Sequence, residues 1–343
     1  MLEKFDFSKK EKPPQREVFN EDMTSEPKET AEERERLFAE KFIEENEKQH
    51  IPEWEDFLKK VDFPLLKNIF SKLLKQCGIP EEKMNFIVPE KIFSREWEIG
   101  AGTYWPEFNV ITLSKVIEDK GYNPEIKRLR ALIHEEIHAM SKSICIGWSP
   151  EKGTFKNQQT GFFRSIYKDA KIQSPVYNDP QKGGTSCEFF AVFNEAVTEK
   201  ITGELTKEYL TQSNWPRNEI EDYEKEIKEH RHYTYGNIVP LINTIIIKMS
   251  LRLKIPRETI WNAIKRSYVE GEKFEDQKII GLFEETFGKG FLDDFSDLLS
   301  PIFAGSEDMI KEFKEKYSLG FLSRRECIEA GLYDKDFQSI YDK

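Results

Sequence analysis

Histidine is scarce in this 343-residue chain, with five copies in all. Cysteine is scarcer still: Cys77, Cys145, Cys187 and Cys327 are scattered and form no CxxC pair and no dense disulfide framework, which favours a reducing compartment. No apolar run approaches the roughly 20 residues of a membrane span, so no membrane partner is expected. The opening residues MLEKFDFSKKEKPPQREV lack the basic start and apolar stretch of a secretory signal, and a cytoplasmic location is the expectation. Positive charge is in deficit too. With 52 Lys and Arg against 63 Asp and Glu, the formal net charge of -11 argues against a nucleic-acid binder. What remains is an acidic chain long enough for a full core and two or three units. Its 34% charged residues exceed the roughly 25% of an average domain, and the surplus belongs to solvated arm or exposed helix.

Residues 1–30, charged and carrying adjacent Pro13 and Pro14, are expected to form a disordered arm, followed by N-terminal helices over 31–80. Next, Glu29 to Lys48 reads as an exposed helix lying on the main body, and Trp54 to Cys77 as two helical segments, the second started by Pro64. The composition then turns towards strand. MNFIVP, WEIGAGTYW and FNVITLS are rich in aromatic and β-branched residues, and the turn-like Pro106 to Phe108 makes the last two an antiparallel hairpin. In IKRLRALIHEEIHAMSKSI the positions Ile126, Leu129, Leu132, Ile133, Ile137 and Met140 mark one face of a helix. Cys145 to Gly184 reads as a long irregular connection with at most a short strand near Gly161 to Ile166. Ser186 is the expected cap of a helix CEFFAVFNEAVTEKITGEL. The chain from about Ile220 onward is expected to be successive helices: Ile238 to Leu253, Arg257 to Val269, Gln277 to Phe287, Phe291 to Leu299 and Glu307 to Tyr317. The main body thus divides into a core over 81–236 and a helical region over 237–343.

Two of the five histidines sit four residues apart, as His134-Glu135-Glu136-Ile137-His138. On a helix that spacing puts both imidazoles on one face, where they can reach one metal ion, while Glu135 points about 100 degrees round, beside it. Such a carboxylate can contact a water on the metal. A third histidine in an HExxHxxGxxH continuation is excluded, because Ser141 and Ile144 occupy those positions. The search therefore moves to a carboxylate on a second helix. In the segment from Cys187 onward, Phe189, Phe190, Val192, Phe193, Ala196, Val197 and Ile201 form a wide apolar surface, and Glu188, Glu195 and Glu199 a narrow acidic stripe. A carboxylate beside so much buried surface needs a positive partner. The bland readings are two surface histidines and a solvated acidic stripe.

His134-Glu135-x-x-His138 followed by Asn194-Glu195-Ala196-Val197-Thr198-Glu199 resembles the gluzincin metallopeptidases in the thermolysin-like pattern HExxH plus NExx(S/T)(D/E), and in outline the compact minigluzincins. The resemblance covers roughly Met84 to Ile246. It implies an α+β, zincin-like core with a small antiparallel or mixed sheet and an active-site helix, flanked by helical extensions. It also implies one zinc ion per chain held by His134, His138 and Glu195, with Glu135 as general base. Glu199 would accept a hydrogen bond from the outer nitrogen of His134, and Asn194 would support the site from outside the ligand set. Gly102, Thr103 and Tyr104, in a hairpin similar to the family's upper rim, would bind an extended substrate by strand addition. An oxyanion donor is expected from the segment 229–235, with Tyr235 first and Tyr233, His230 and His232 as alternatives. The activity implied is zinc-dependent hydrolysis of peptide bonds in a peptide or protein substrate. The alternatives are a non-catalytic zincin-fold binding or scaffold protein, and a zinc hydrolase of a non-peptide amide. Peptide deformylases share HExxH, but the GCLS-type segment that supplies their cysteine ligand is missing here.

Overall fold

The computed structural model of the chain describes residues 17–19, 40, 44, 51–95, 101–106, 109–114, 123–141, 143–149, 154–168, 185–189, 191–228, 238–270, 278–289, 291, 294–295 and 307–319. Helices and small mixed sheets combine in an α+β arrangement. No helix among the described residues is long and apolar enough to cross a membrane. A short strand, β1 (Glu17–Phe19), lies inside the stretch expected to be a disordered arm. Of the helix expected over Glu29 to Lys48, Glu40 and Glu44 are described, and both are helical.

Helices α1 (Pro52–Lys60) and α2 (Phe63–Gln76) follow the two-segment reading, burying Trp54 and Phe57 on the first and Leu66, Ile69, Phe70, Leu73 and Leu74 on the second. Asp62 starts α2 by accepting from the Leu65 N–H at 2.9 Å, and Pro64 sits in the first turn, where a missing N–H is tolerated. The expected strand at MNFIVP does not form. Residues 84–88 run between two 3-10 turns, Glu81–Lys83 and Pro89–Lys91, and the Ile87 N–H goes to the Glu136 side chain at 3.0 Å instead of to a ladder. The strand comes just after them, as β2 (Ile92–Arg95).

Strands β3 (Gly102–Trp105) and β4 (Val110–Ser114) are the expected antiparallel hairpin; β2 joins β4 in parallel, giving the order β2-β4-β3. Asn109, at φ 54, turns the chain into β4, a conformation that asparagine tolerates better than most residues. The next element is α3 (Pro124–Met140), which carries the HExxH segment. The Asn123 side chain accepts from the Glu125 N–H at 2.7 Å and Pro124 occupies the first turn, while at the other end the Ser141 hydroxyl donates to the His138 carbonyl at 2.7 Å. The apolar face is buried as the spacing requires, and Arg130, Glu135, Glu136 and His138 are buried with it.

Beyond Ser141 the sequence reading fails in an informative way. In place of an irregular connection, β5 (Ser143–Ser149), β6 (Thr154–Thr160), β7 (Phe163–Lys168) and β8 (Thr185–Phe189) form an antiparallel meander, with β1 added in parallel to β5. The β6 sequence TFKNQQT lacks an apolar face, so its membership in the sheet rests on backbone pairing that periodicity cannot reveal. Gly161, at φ +58, takes the first position of the two-residue β6–β7 turn, where a II′-type hairpin requires positive φ. Ser186 and Glu188 pair with β7 and do not belong to the helix; α4 begins only at Ala191 and runs to Gln212.

Helix α4 is buried on nearly every side through Phe193, Ala196, Val197, Thr198, Ile201, Thr202, Leu205 and Thr206, and therefore shows little amphipathic character. It packs against α2 and α3, and against the later helices α5 (Arg217–Lys228) and α6 (Ile238–Leu253). Helices α7 (Arg257–Glu270), α8 (Lys278–Phe287) and α9 (Glu307–Lys316) complete the C-terminal region close to their expected bounds. Of the helix expected over Phe291 to Leu299, Phe291, Asp294 and Phe295 are described, each helical. Phe283, Phe291, Phe295 and Phe313 stack into a buried aromatic cluster that reaches α4 through Phe193.

Candidate metal centre

Helices α3 and α4 pack side by side, which brings His134 and His138 from the first against Glu195 from the second. His134 Nε2 lies 3.2 Å from Glu195 Oε2, His138 Nε2 lies 3.4 Å from Glu195 Oε1, and the two Nε2 atoms are 3.1 Å apart. Tetrahedral zinc with donor atoms at about 2.0–2.1 Å sets those atoms about 3.3–3.4 Å from one another. The separations in this triangle of residues are of that size, each imidazole facing a different Glu195 oxygen, and one donor atom from each of the three residues lies within 4.8 Å of the others. No other group of three His, Cys, Asp or Glu side chains among the described residues is arranged to hold a metal ion.

The hydrogen bonds behind the triangle orient its donors. His134 Nδ1 faces Glu199 Oε2 at 3.2 Å, an acceptor that favours a proton on Nδ1 and would leave Nε2 for a metal ion. Glu199 is buried, and its other oxygen accepts from Arg130 Nη2. Arg130, four residues before His134 on the same face of α3, was not singled out in the sequence. Its signal is a charged residue inside an otherwise apolar stripe. His138 Nδ1 lies 3.3 Å from the hydroxyl of Tyr268 on α7, a second residue that sequence reasoning missed. The Glu195 side chain keeps 27% of its surface exposed against 7% for Glu199, so the triangle opens to solvent while its back is sealed.

The charges respond accordingly. Burial alone would push the Glu195 carboxyl up, but the charge on His138 and hydrogen bonds from both imidazoles outweigh it and hold the group well below the usual carboxylate range. Burial works against a charged His138, yet Glu195 and Glu135 raise its pKa. Metal uptake at such a site would compete with protons for the ligand nitrogens.

Glu135 is buried at 6% exposure beside the triangle, and burial raises its carboxyl pKa against the pull of His134 and His138. Its Oε2 accepts from the Tyr104 N–H at 2.7 Å. Among the described residues no hydrogen bond reaches its Oε1. Strand β3, at the edge of its sheet among the described strands, therefore runs directly along the carboxylate. A Cβ at Gly102 would stand 2.9 Å from Glu135 Cγ, so this glycine clears room for the side chain. The Tyr104 side chain turns into the core, donating to Asn109 at 3.0 Å, and Thr103 donates to the Gly102 carbonyl at 2.8 Å. Asn194 is buried away from the triangle: its Oδ1 accepts from the Phe162 N–H at 2.9 Å and ties the β6–β7 turn to α4. Tyr235, expected as oxyanion donor, lies outside the described residues, as do Tyr233, His230 and His232. Compared with protein-family models, with curated proteins and with solved structures, the chain finds no match.

Proposed function

We propose that the chain is a zinc-dependent peptide-bond hydrolase of the gluzincin kind, built on a zincin-like core. The observation that carries this reading is the convergence of the two imidazole Nε2 atoms and the Glu195 carboxylate, at 3.1–3.4 Å, with a buried carboxylate, Glu135, alongside. Two neutral imidazoles and a carboxylate form a donor set suited to zinc, with one coordination position left for substrate or water. When bound, zinc would supply Lewis-acid polarisation of the scissile carbonyl and a lowered pKa for the attacking water. Glu135, its Oε2 fixed by the Tyr104 N–H, takes the proton of that water on Oε1 as the oxygen adds to the carbonyl carbon. It returns the proton to the leaving nitrogen as the C–N bond breaks. Arg130 and Glu199 hold His134 in its Nδ1–H form throughout. Strand β3, at the sheet edge among the described strands, is where an extended peptide would lie, next to the base.

Metal analysis of the purified chain should find about one zinc per chain, lost in His138→Ala or Glu195→Ala. Glu135→Gln should keep the zinc and lose turnover of a mixed peptide library, by two to four orders of magnitude if the carboxylate is the general base. A wild-type chain that takes up no zinc would overturn the reading. A zinc-loaded wild type that cleaves no peptide would favour the scaffold alternative.

A further inference from the structure

Tyr268 is fully buried, 130 residues from the HExxH helix in sequence, and its hydroxyl reaches His138 Nδ1 at 3.3 Å. The same hydroxyl is 2.8 Å from Thr198 Oγ1, and Thr198 Oγ1 donates to the Asn194 main-chain carbonyl at 2.9 Å. A carbonyl can only accept, so with the single threonine proton committed to Asn194, Thr198 offers Tyr268 a lone pair. The phenol proton then points to Thr198, or to Ser141, which also hydrogen-bonds it, and the phenol lone pair faces His138. With the phenol proton on the Thr198 side, His138 Nδ1–H donates to Tyr268, Tyr268 to Thr198, and Thr198 to the residue before Glu195. Every proton runs in one direction. A separate observation points to the same tyrosine. A Cβ on Gly161 would lie 2.7 Å from the Tyr268 ring and 2.7 Å from Asn194 Oδ1, so the β6–β7 turn leaves space for the ring.

We infer that Tyr268 is a positioning residue for the metal centre. Through the chain to Thr198 and Asn194 it fixes His138 in the Nδ1–H tautomer, so that Nε2 presents its lone pair beside Glu195. The inference rests on the metal-binding reading above and gives His138 a partner distinct in chemistry from the Arg130–Glu199 pair that holds His134. It also assigns the threonine of the NExxTE segment a task, since Thr198 connects the two ligand-bearing helices through the C-terminal region.

The test combines zinc affinity, by competition with a chelator, and the His138 tautomer, by side-chain nitrogen chemical shifts in the metal-free chain at alkaline pH. Tyr268→Phe should weaken zinc binding roughly 10- to 100-fold and convert His138 from the Nδ1–H form to a mixture. Thr198→Val should shift both in the same direction, and Thr198→Ser should restore them. Tyr209→Phe, which removes the hydroxyl of another core tyrosine, one that serves the Asp62 N–H, should leave both unchanged. Wild-type zinc affinity and an unchanged His138 tautomer in Tyr268→Phe would overturn the inference while leaving the metal reading intact. If the wild-type chain bound no zinc, the metal reading would fall, and retention or loss of the tautomer in Tyr268→Phe would still decide whether the hydrogen-bond chain holds His138.

Discussion

Two neighbouring glutamates on one helix occupy opposite situations. Glu135 lies against β3 and the histidines, whereas Glu136, fully buried, accepts from the Ile87 N–H and has no partner for Oε1 among the described residues. Burial pushes the Glu136 carboxyl well above its usual range, with the Ile87 N–H opposing. Glu136→Gln keeps the acceptor for Ile87 and should leave turnover near the wild-type value, with the unfolding free energy changed by no more than about 1 kcal/mol. Glu136→Ala should cost about 2–4 kcal/mol through the cavity and the abandoned N–H, measured by denaturant unfolding. Loss of turnover in Glu136→Gln with the fold intact would put the general base in the wrong place. Cys77, buried at the end of α2, has its thiol pushed from 9.0 up to about 11 by burial, with Lys265 opposing. The folded state holds this proton more tightly than the unfolded state, so its contribution to stability is intact below about pH 9 and lost as pH rises towards 11. Alkylation at neutral pH should therefore modify Cys77 only on unfolding, as site-resolved mass spectrometry would record, and Cys77→Ala should flatten the fall in thermal midpoint between pH 9 and 11.

At the scale of elements, Gly102 shows how a strand and a helix share one small space. Gly102→Ala forces a methyl group against Glu135 Cγ, so the carboxylate must move off the Tyr104 N–H. The expected result is a fall in kcat of about 10- to 100-fold, since small displacements of a catalytic group carry such costs, with zinc content unchanged. A kcat equal to wild type would mean that the base does not need this seat. What the sequence revealed of these elements follows from the kind of signal each carries. Helix α3 and the C-terminal helices were legible because Ile126, Leu129, Leu132, Ile133 and their counterparts repeat at helical spacing. The polar strand β6 has no such period, and Ser186 to Phe189 continue the apolar pattern of α4 closely enough to read as its first turn. The candidate ligands were legible for a related reason: HExxH and NExxTE are local patterns with fixed spacing. Arg130 was hidden among apolar neighbours, and Tyr268 comes from a distant helix that only tertiary packing brings to His138.

For the molecule as a whole, the boundary drawn at residue 237 separates parts that are packed into one core. Tyr268 touches His138 and Phe162, and Phe193, two residues before Glu195, meets Phe283 and Phe295 from beyond the boundary. Helices α6 and α4 are also in contact, with Leu241, Ile242 and Ile245 fully buried. A fragment ending at residue 236 would expose these apolar faces and leave His138 without its partner. It should fail to fold cooperatively and should bind zinc only weakly, even though it contains both motifs. The full chain should instead unfold its described core in one transition, with circular dichroism and zinc release changing together. Phe193→Ala tests the same coupling at a single position. Truncating a ring packed between Phe162, Phe283 and Phe295 should cost about 3–5 kcal/mol, while Phe193→Leu, which refills most of the volume, should cost much less. Because α4 carries both Phe193 and Glu195, zinc should be lost at a lower denaturant concentration in Phe193→Ala, in step with unfolding. Zinc retained past the unfolding midpoint would show that the ligand-bearing helices hold together without the C-terminal aromatic cluster.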